Sequence, residues 1–150
     1  MKEKKIIVNT DYNVSDFVIP YFRYRELHCR ECYKEGKKYF VKDELFLYRL
    51  SLLRRTLNRQ IVITSGVRCP FHNEKAGGHS QSGHLTGKAI DCFTPSLSTK
   101  EFYLRIEHLS FFTGVGIYEE EKKQFIHLDN LPRIQRWTRK QGKYLYLFQE

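Results

Sequence analysis

The stretch Ser65–Asp91, SGVRCPFHNEKAGGHSQSGHLTGKAID, is dense in reactive polar side chains and poor in core-forming residues. It holds three of the six histidines and five of the nine glycines of the chain. A segment of this length without regular structure is uncommon inside a compact domain unless it has a function. We therefore expect this stretch to carry a functional site.

His84 and Asp91 have the character of two ligands of one metal ion, a neutral nitrogen and an anionic oxygen. The small residues Gly87 and Ala89 between them allow the backbone to curl, so that both side chains reach one centre. A third ligand should come from an adjacent strand, and His127 in the run FIHLD is the best candidate. A histidine in such an apolar run is more often a core residue, but its pairing with His84 and Asp91 favours the ligand interpretation.

The segments around this stretch predict an α+β domain with a mainly antiparallel sheet and helices packed on one side. Apolar spacing and capping residues predict helices over 43–58 and from 99 to about 109, with a short helix at 70–75. β-branched and alternating runs predict strands at 60–65, 88–93, 114–118 and 125–128, and an edge strand in the tail KYLYLFQE. The turn EEEKKQ joins 114–118 to 125–128 as a hairpin.

The length of 150 residues fits a single domain over 1–150. Residues 1–25 are predicted to be an irregular N-terminal arm that wraps this domain. No run approaches the ~18 apolar residues that cross a bilayer, and no signal peptide is apparent, so we expect synthesis in the cytoplasm and no stable membrane insertion. We also expect a monomer.

The 26 basic and 17 acidic residues give a net charge of +9, which suggests an anionic partner. Nucleic acid, an anionic lipid surface and an anionic cell-wall polymer all fit, and so does a basic protein without such a partner. Because neither a recognition helix nor an aromatic RNA-binding platform is apparent, we expect no nucleic-acid partner.

The cysteines leave two interpretations open. Cys29 and Cys32, with His28 beside them, have the spacing of half a zinc site, and Cys69 and His72 could complete it by folding back. Alternatively, the cysteines are free thiols packed near the main site, and His72 braces the loop by hydrogen bonds.

Three blocks of the sequence resemble the zinc D-alanyl-D-alanine carboxypeptidases and phage endolysin peptidases, which share the hedgehog-type fold. The first is SxHxxGxAxD, carried here by Ser82, His84, Gly87, Ala89 and Asp91. The second is SGVRCPFHN at 65–73, and the third runs from Gly114 to Asp129, followed by Arg136 and Trp137. The similarity covers roughly residues 20–137.

The resemblance implies Zn²⁺ bound by His84, Asp91 and His127, and hydrolysis of a peptide bond in peptidoglycan stem peptides by a zinc-activated water. The reaction could be that of a carboxypeptidase or of an endolysin-type endopeptidase. Arg68 matches the family arginine that meets the substrate carboxylate or the oxyanion, although a structural salt bridge is an alternative. Ser82 matches a serine near the substrate, with a turn hydroxyl as the alternative.

One position departs from the family pattern. Many members have an acidic general base three residues before the last histidine, where this chain has Gln124. Strand alternation puts Asp129 on the same face as His127, so we predict that Asp129 is the base or the carboxylate that orients His127. If Asp129 is not the general base, Glu119–Glu121 are the alternative candidates.

Trp137, with Arg133 and Arg136, is predicted to form a wall for the substrate or else to be a core aromatic residue. The resemblance further implies action on the cell wall, after release or as part of a phage or prophage lysis system. Because Gln124 replaces the usual base, a second function stays open. It is a catalytically inactive, zinc-stabilised module that binds the cell wall or a protein.

Overall fold

The computed structural model describes residues 6–8 and 17–149. The helices are α1 (Tyr24–Leu27), α2 (Arg30–Lys34), α3 (Glu44–Leu57), α4 (Pro70–Lys75) and α5 (Thr99–Leu109), and a 3₁₀ turn lies at Gly83–Thr86. The strands are β1 (Ile6–Val8), β2 (Phe17–Ile19), β3 (Phe22–Arg23), β4 (Tyr39–Val41), β5 (Val62–Ser65), β6 (Ala89–Phe93), β7 (Gly114–Glu119), β8 (Gln124–Asp129), β9 (Gln135–Lys140) and β10 (Lys143–Gln149).

The main sheet has six strands in the order β10-β9-β7-β8-β6-β5. All neighbours pair antiparallel except β7 and β9, which are parallel. Two small antiparallel sheets, β1 with β4 and β2 with β3, lie outside it. The predicted fold class, α+β with a mainly antiparallel sheet, is therefore confirmed.

The longest described helix, α3, forms as its sequence predicts. The Asp43 side chain caps its first turn by accepting a hydrogen bond from the backbone N–H of Phe46, at 2.9 Å. Asn58 ends the helix in the left-handed conformation, with φ of 50°. The apolar stripe of α3 is buried in the main core, which anchors the helix by hydrophobic burial.

Alternation along the central strands separates the core face of the sheet from the face that carries polar side chains. Ile90 and Cys92 of β6 and Ile126 and Leu128 of β8 are buried in the same core as the apolar residues of α3 and α5. The residues between them in sequence lie on the opposite face. This second face is therefore available for chemistry.

The structure corrects two sequence expectations. The described part of the N-terminal arm is not irregular, because it contributes β1, β2, β3 and the start of α1, while the rest of the arm lies outside the described residues. Strand β9 was not predicted, and it lies between β7 and the edge strand β10. Within the described part of the chain, no helix has both the length and the apolar character to span a membrane.

Candidate metal centre and substrate cleft

The three predicted ligands are brought together by two neighbouring strands and one turn. Asp91 of β6 and His127 of β8 are direct cross-strand partners. His84 lies in the 3₁₀ turn just before β6, where the Ser82 hydroxyl caps the turn by accepting from the His84 backbone N–H at 3.2 Å. One ligand atom from each of His84, Asp91 and His127 falls within 4.8 Å of the others.

The orientation of His84 is fixed by the backbone at the start of the long loop. Its Nδ1 donates to the carbonyl oxygen of Gly66 at 2.7 Å. Its Nε2 is therefore the nitrogen with a free lone pair, and it lies 3.4 Å from Oδ1 of Asp91. Such a second-sphere hydrogen bond is what sets the tautomer of a metal-binding histidine.

His127 is held between two carboxylates. Its Nδ1 lies 2.9 Å from Oδ1 of Asp91, and its Nε2 lies 2.8 Å from Oδ2 of Asp129. Burial by itself lowers the pKa of the ring, but the hydrogen bonds to Asp129 and Asp91 outweigh it and raise the pKa of His127 to about 9. Burial also acts to raise the pKa of Asp91, yet His84 and His127 hold it below its usual range.

Asp129 is fully buried and its carboxylate is saturated with donors. Arg133 donates to both oxygens, at 2.6 and 2.8 Å, and the Leu131 backbone N–H donates to Oδ1 at 3.1 Å. Although burial opposes it, His127 and Arg133 lower the pKa of Asp129 well below its usual range. Gly114 faces this carboxylate, and a Cβ there would collide with it. These contacts match the orienting role predicted for Asp129 better than the role of a base.

The donor set fits zinc. Two imidazole nitrogens and one carboxylate oxygen are a known catalytic combination, which leaves the fourth tetrahedral position for water or substrate. His127 carries a buried carboxylate behind its second nitrogen, as metal-binding histidines commonly do. The fit rests on the convergence of the three ligand atoms within 4.8 Å.

A cleft of about 790 Å³ opens over the three ligands, and Arg68, Ser82, Trp137 and Arg133 are among the residues that line it. Arg68 donates from Nε to Ser65 Oγ at 3.1 Å and from one terminal nitrogen to Oδ2 of Asp91 at 3.4 Å. Arg68 thus forms a salt bridge to a predicted metal ligand at the edge of the cleft, and its contact with substrate stays a prediction.

Trp137 is both a wall of the cleft and a well-packed aromatic residue. Its ring centroid lies 5.3 Å from that of His127, and its Nε1–H donates to the Tyr118 hydroxyl at 3.2 Å. Gly116 lies under the indole, where any Cβ would collide with the ring. Arg136 does not join this wall, because it pairs with Glu107 of α5 at 2.6 Å instead.

The other base candidates lie away from the ligands. Gln124 is exposed at the start of β8 and does not line the cleft. Glu120 pairs with Arg139, and none of Glu119–Glu121 lines the cleft. Among the described residues of the cleft, the carboxylates are Asp91 and Asp129.

Sequence reasoning missed the aromatic side of the cleft. Tyr118 of β7 and the pair Tyr144 and Tyr146 of β10 also line it. The alternation of aromatic and aliphatic residues in KYLYLF was the available signal, since one face of an edge strand then carries aromatic side chains.

The Peptidase M15 family model matches residues 20–129, a range that includes His84, Asp91 and His127. The chain belongs to the Peptidase M15 family. This membership confirms the predicted family resemblance and supports peptidase chemistry for the cleft. No curated protein and no solved structure gives a significant match to this M15 chain.

Proposed function

We propose that this M15 chain is a zinc metallopeptidase that hydrolyses a peptide bond in peptidoglycan stem peptides, as a carboxypeptidase or an endopeptidase. The observation that carries the proposal is the convergence of His84, Asp91 and His127 under a cleft of about 790 Å³. A zinc ion bound there would polarise the scissile carbonyl and lower the pKa of a water molecule.

The charge of the cleft supports an anionic peptide substrate. The cleft is lined by three arginines, Arg68, Arg133 and Arg139. Its two carboxylates are those of Asp91 and Asp129. Asp129 is already paired with Arg133. Stem peptides carry free carboxylates, and Arg68 is the arginine tied closest to the metal ligands, so it would bind such a group or the developing oxyanion.

The remaining residues of the cleft position the substrate. Ser82 presents its hydroxyl beside His84, and Trp137 forms an apolar wall against His127. Asp129 keeps Nε2 of His127 protonated, so that Nδ1 faces Asp91 and the site.

The proposal extends to action at the cell wall, after release or within a phage or prophage lysis system. The net charge of +9 suits an anionic wall polymer.

The test is digestion of purified sacculi, followed by mass spectrometry of the released fragments. The wild-type protein should release muropeptides, a chelator should stop the release, and zinc should restore it. His84→Ala should reduce release to background, because the site loses one of its three ligands. His108→Ala, which removes an exposed histidine of α5, should behave as wild type. Zinc-loaded wild-type protein that releases nothing would contradict the proposal.

A second candidate is a zinc-stabilised module that binds the wall without cleaving it. Two observations favour it: Gln124 occupies the usual base position, and the Asp129 carboxylate is saturated by His127, Leu131 and Arg133. Zinc-loaded protein that sediments with sacculi but yields no fragment, in both the wild type and Asp129→Ala, would support it. Turnover by the wild type would exclude it.

A further inference from the structure

A second group of potential ligands lies outside the cleft. It consists of Cys29, Cys32, Cys69 and His72, all buried, and we refer to it as the thiol cluster. Cys29 precedes α2 and Cys32 lies within it, whereas Cys69 precedes α4 and His72 lies within it. Two short helices thus each present a pair of residues with the same spacing to one centre.

The distances within the thiol cluster suit a tetrahedral ion. Nδ1 of His72 lies 3.6, 3.4 and 3.0 Å from the sulfurs of Cys29, Cys32 and Cys69, and all four ligand atoms are within 4.8 Å of one another. Zn–S and Zn–N bonds of about 2.3 and 2.0 Å in a tetrahedron give ligand-to-ligand separations of about 3.5–3.8 Å. The four atoms therefore need only small shifts to bind one zinc ion.

Hydrogen bonding alone does not account for this arrangement. Three sulfurs converge on Nδ1 of His72, but an unprotonated ring nitrogen accepts one hydrogen bond and a protonated one donates one. The three cysteines are free thiols, so no disulfide explains their proximity either. A cation at the centre would satisfy all four groups at once.

The surroundings supply the interactions that a zinc site requires beyond its ligands. Nε2 of His72 lies 2.9 Å from Oε1 of Glu35, so this carboxylate fixes the ring with Nδ1 toward the sulfurs. The backbone N–H of Cys69 donates to the sulfur of Cys29 at 3.5 Å, and that of His72 donates to the sulfur of Cys69 at 3.4 Å. Such donors stabilise thiolate charge. His28, although adjacent in sequence, packs against Tyr33 instead.

We propose that the thiol cluster binds a structural zinc ion through three cysteine sulfurs and one imidazole nitrogen. Four protein ligands close the coordination sphere, which is typical of structural rather than catalytic zinc. This site is separate from the proposed peptidase centre and does not depend on it.

The position of the thiol cluster gives the ion a mechanical role. Cys69 directly follows Arg68, whose backbone N–H donates to the carbonyl of His84 at 3.0 Å. One residue earlier, the Val67 N–H donates to the Leu27 carbonyl at 2.8 Å. Zinc would therefore clamp the N-terminal helices to the segment that positions Arg68 and His84.

The test is metal analysis of the purified full chain by mass spectrometry, together with cobalt substitution. We expect two zinc ions per chain in the wild type and one in His84→Ala/His127→Ala, because only the thiol cluster remains there. Cobalt in that double variant should show thiolate-to-metal charge-transfer absorption. Cys69→Ser should lose this absorption and one metal ion. Cys92→Ala alters a buried cysteine outside the cluster, so it should keep the thiolate absorption and the same number of metal ions as the wild type.

Cys69→His guards against misfolding of the serine variant, since it restores a ligand and should recover metal binding with weaker charge-transfer absorption. The proposal is overturned if His84→Ala/His127→Ala contains no zinc and its cobalt form lacks thiolate absorption. It is also overturned if Cys69→Ser retains the wild-type metal content. Neither readout involves peptidase activity, so an inactive protein can still pass this test.

Discussion

Asp129 receives four hydrogen bonds on a carboxylate that is fully buried. Two come from Arg133, and one holds Nε2 of His127. Of the two roles that the sequence allows for this residue, its surroundings favour orientation of a metal ligand. A carboxylate that must accept a proton would need a free oxygen facing the cleft.

The raised pKa of His127 gives this arrangement a measurable signature. In metal-free protein we expect the His127 ring to titrate at about 9. Asp129→Asn should move the midpoint toward the ordinary value of about 6.5, because one of the two anions beside the ring is gone. Histidine side-chain NMR would measure both midpoints.

Glu107→Gln is the matched control, since Glu107 binds Arg136 of β9 rather than the cleft, and the His127 midpoint should not change. An unchanged midpoint in Asp129→Asn would contradict the orienting role.

The raised pKa of His127 also makes the stability of the metal-free fold depend on pH. The protonated ring stabilises the metal-free fold below about pH 6.5, and this contribution is lost as the pH rises through about 9.

At the scale of single elements, β7 needs two glycines to make room for side chains of the neighbouring strands. Gly116 allows the indole of Trp137 to lie over the strand, and Gly114 makes room for the Asp129 carboxylate. Parallel pairing sets Gly116 directly beside Trp137. Larger residues at these positions would still be compatible with a strand. The requirement for glycine therefore comes from the neighbouring side chains and not from the backbone of β7.

Gly116→Ala should displace Trp137 from the wall of the cleft and cost about 1–3 kcal/mol of stability by overpacking. Trp137 is the only tryptophan of the chain, so its fluorescence reports on this site alone. We expect a red-shifted emission maximum and a lower free energy of unfolding in denaturant. Ile117→Val, at the next position of β7, should leave the emission unchanged. Unshifted emission in Gly116→Ala would contradict the packing argument.

The edge strand β10 presents two chemically different faces. Tyr144 and Tyr146 line the cleft and stack at 6.2 Å between centroids, whereas Leu145 and Leu147 alternate with them in sequence. Replacing both tyrosines by serine should raise KM for muropeptides several-fold with little change in kcat, because the ring contacts of these residues are with each other, Tyr118 and Arg139 rather than with the proposed metal ligands. Replacing both leucines by serine is the matched control, and equal effects of the two double variants would contradict a tyrosine subsite.

For the whole molecule, the sequence predicts best where a signal is local. Helices α3 and α5 and the β7–β8 hairpin appear within a residue or two of their predicted bounds, because caps and apolar spacing are short-range features. Strand β9 was missed since its sequence, QRWTRK, lacks apolar alternation. Its buried Arg136 is satisfied by Glu107 and by backbone carbonyls of 112 and 113, which are distant in sequence.

The candidate site shows the same limit. The residue types and the family resemblance predicted His84, Asp91 and His127 as one group of ligands, and the fold brings the three side chains together. The pairing of Asp129 with Arg133, and the wall made by residues of β9 and β10, follow only from the three-dimensional arrangement. These two strands lie beyond the family match, which ends at residue 129. The side of the cleft formed by Trp137, Tyr144 and Tyr146 therefore lies in the part of the chain that the family match does not cover.

The order of the ligands along the chain has a consequence for biosynthesis. Ribosomes release a chain N-terminus first. The last residue of the thiol cluster is His72, whereas the last predicted ligand of the cleft, His127, lies in β8 and is translated much later. With the proposed zinc in place, α4 and the segment carrying Arg68 are secured to the N-terminal helices while β7 to β10 are still being translated. The nascent chain then offers a finished anchor onto which the remaining strands can assemble.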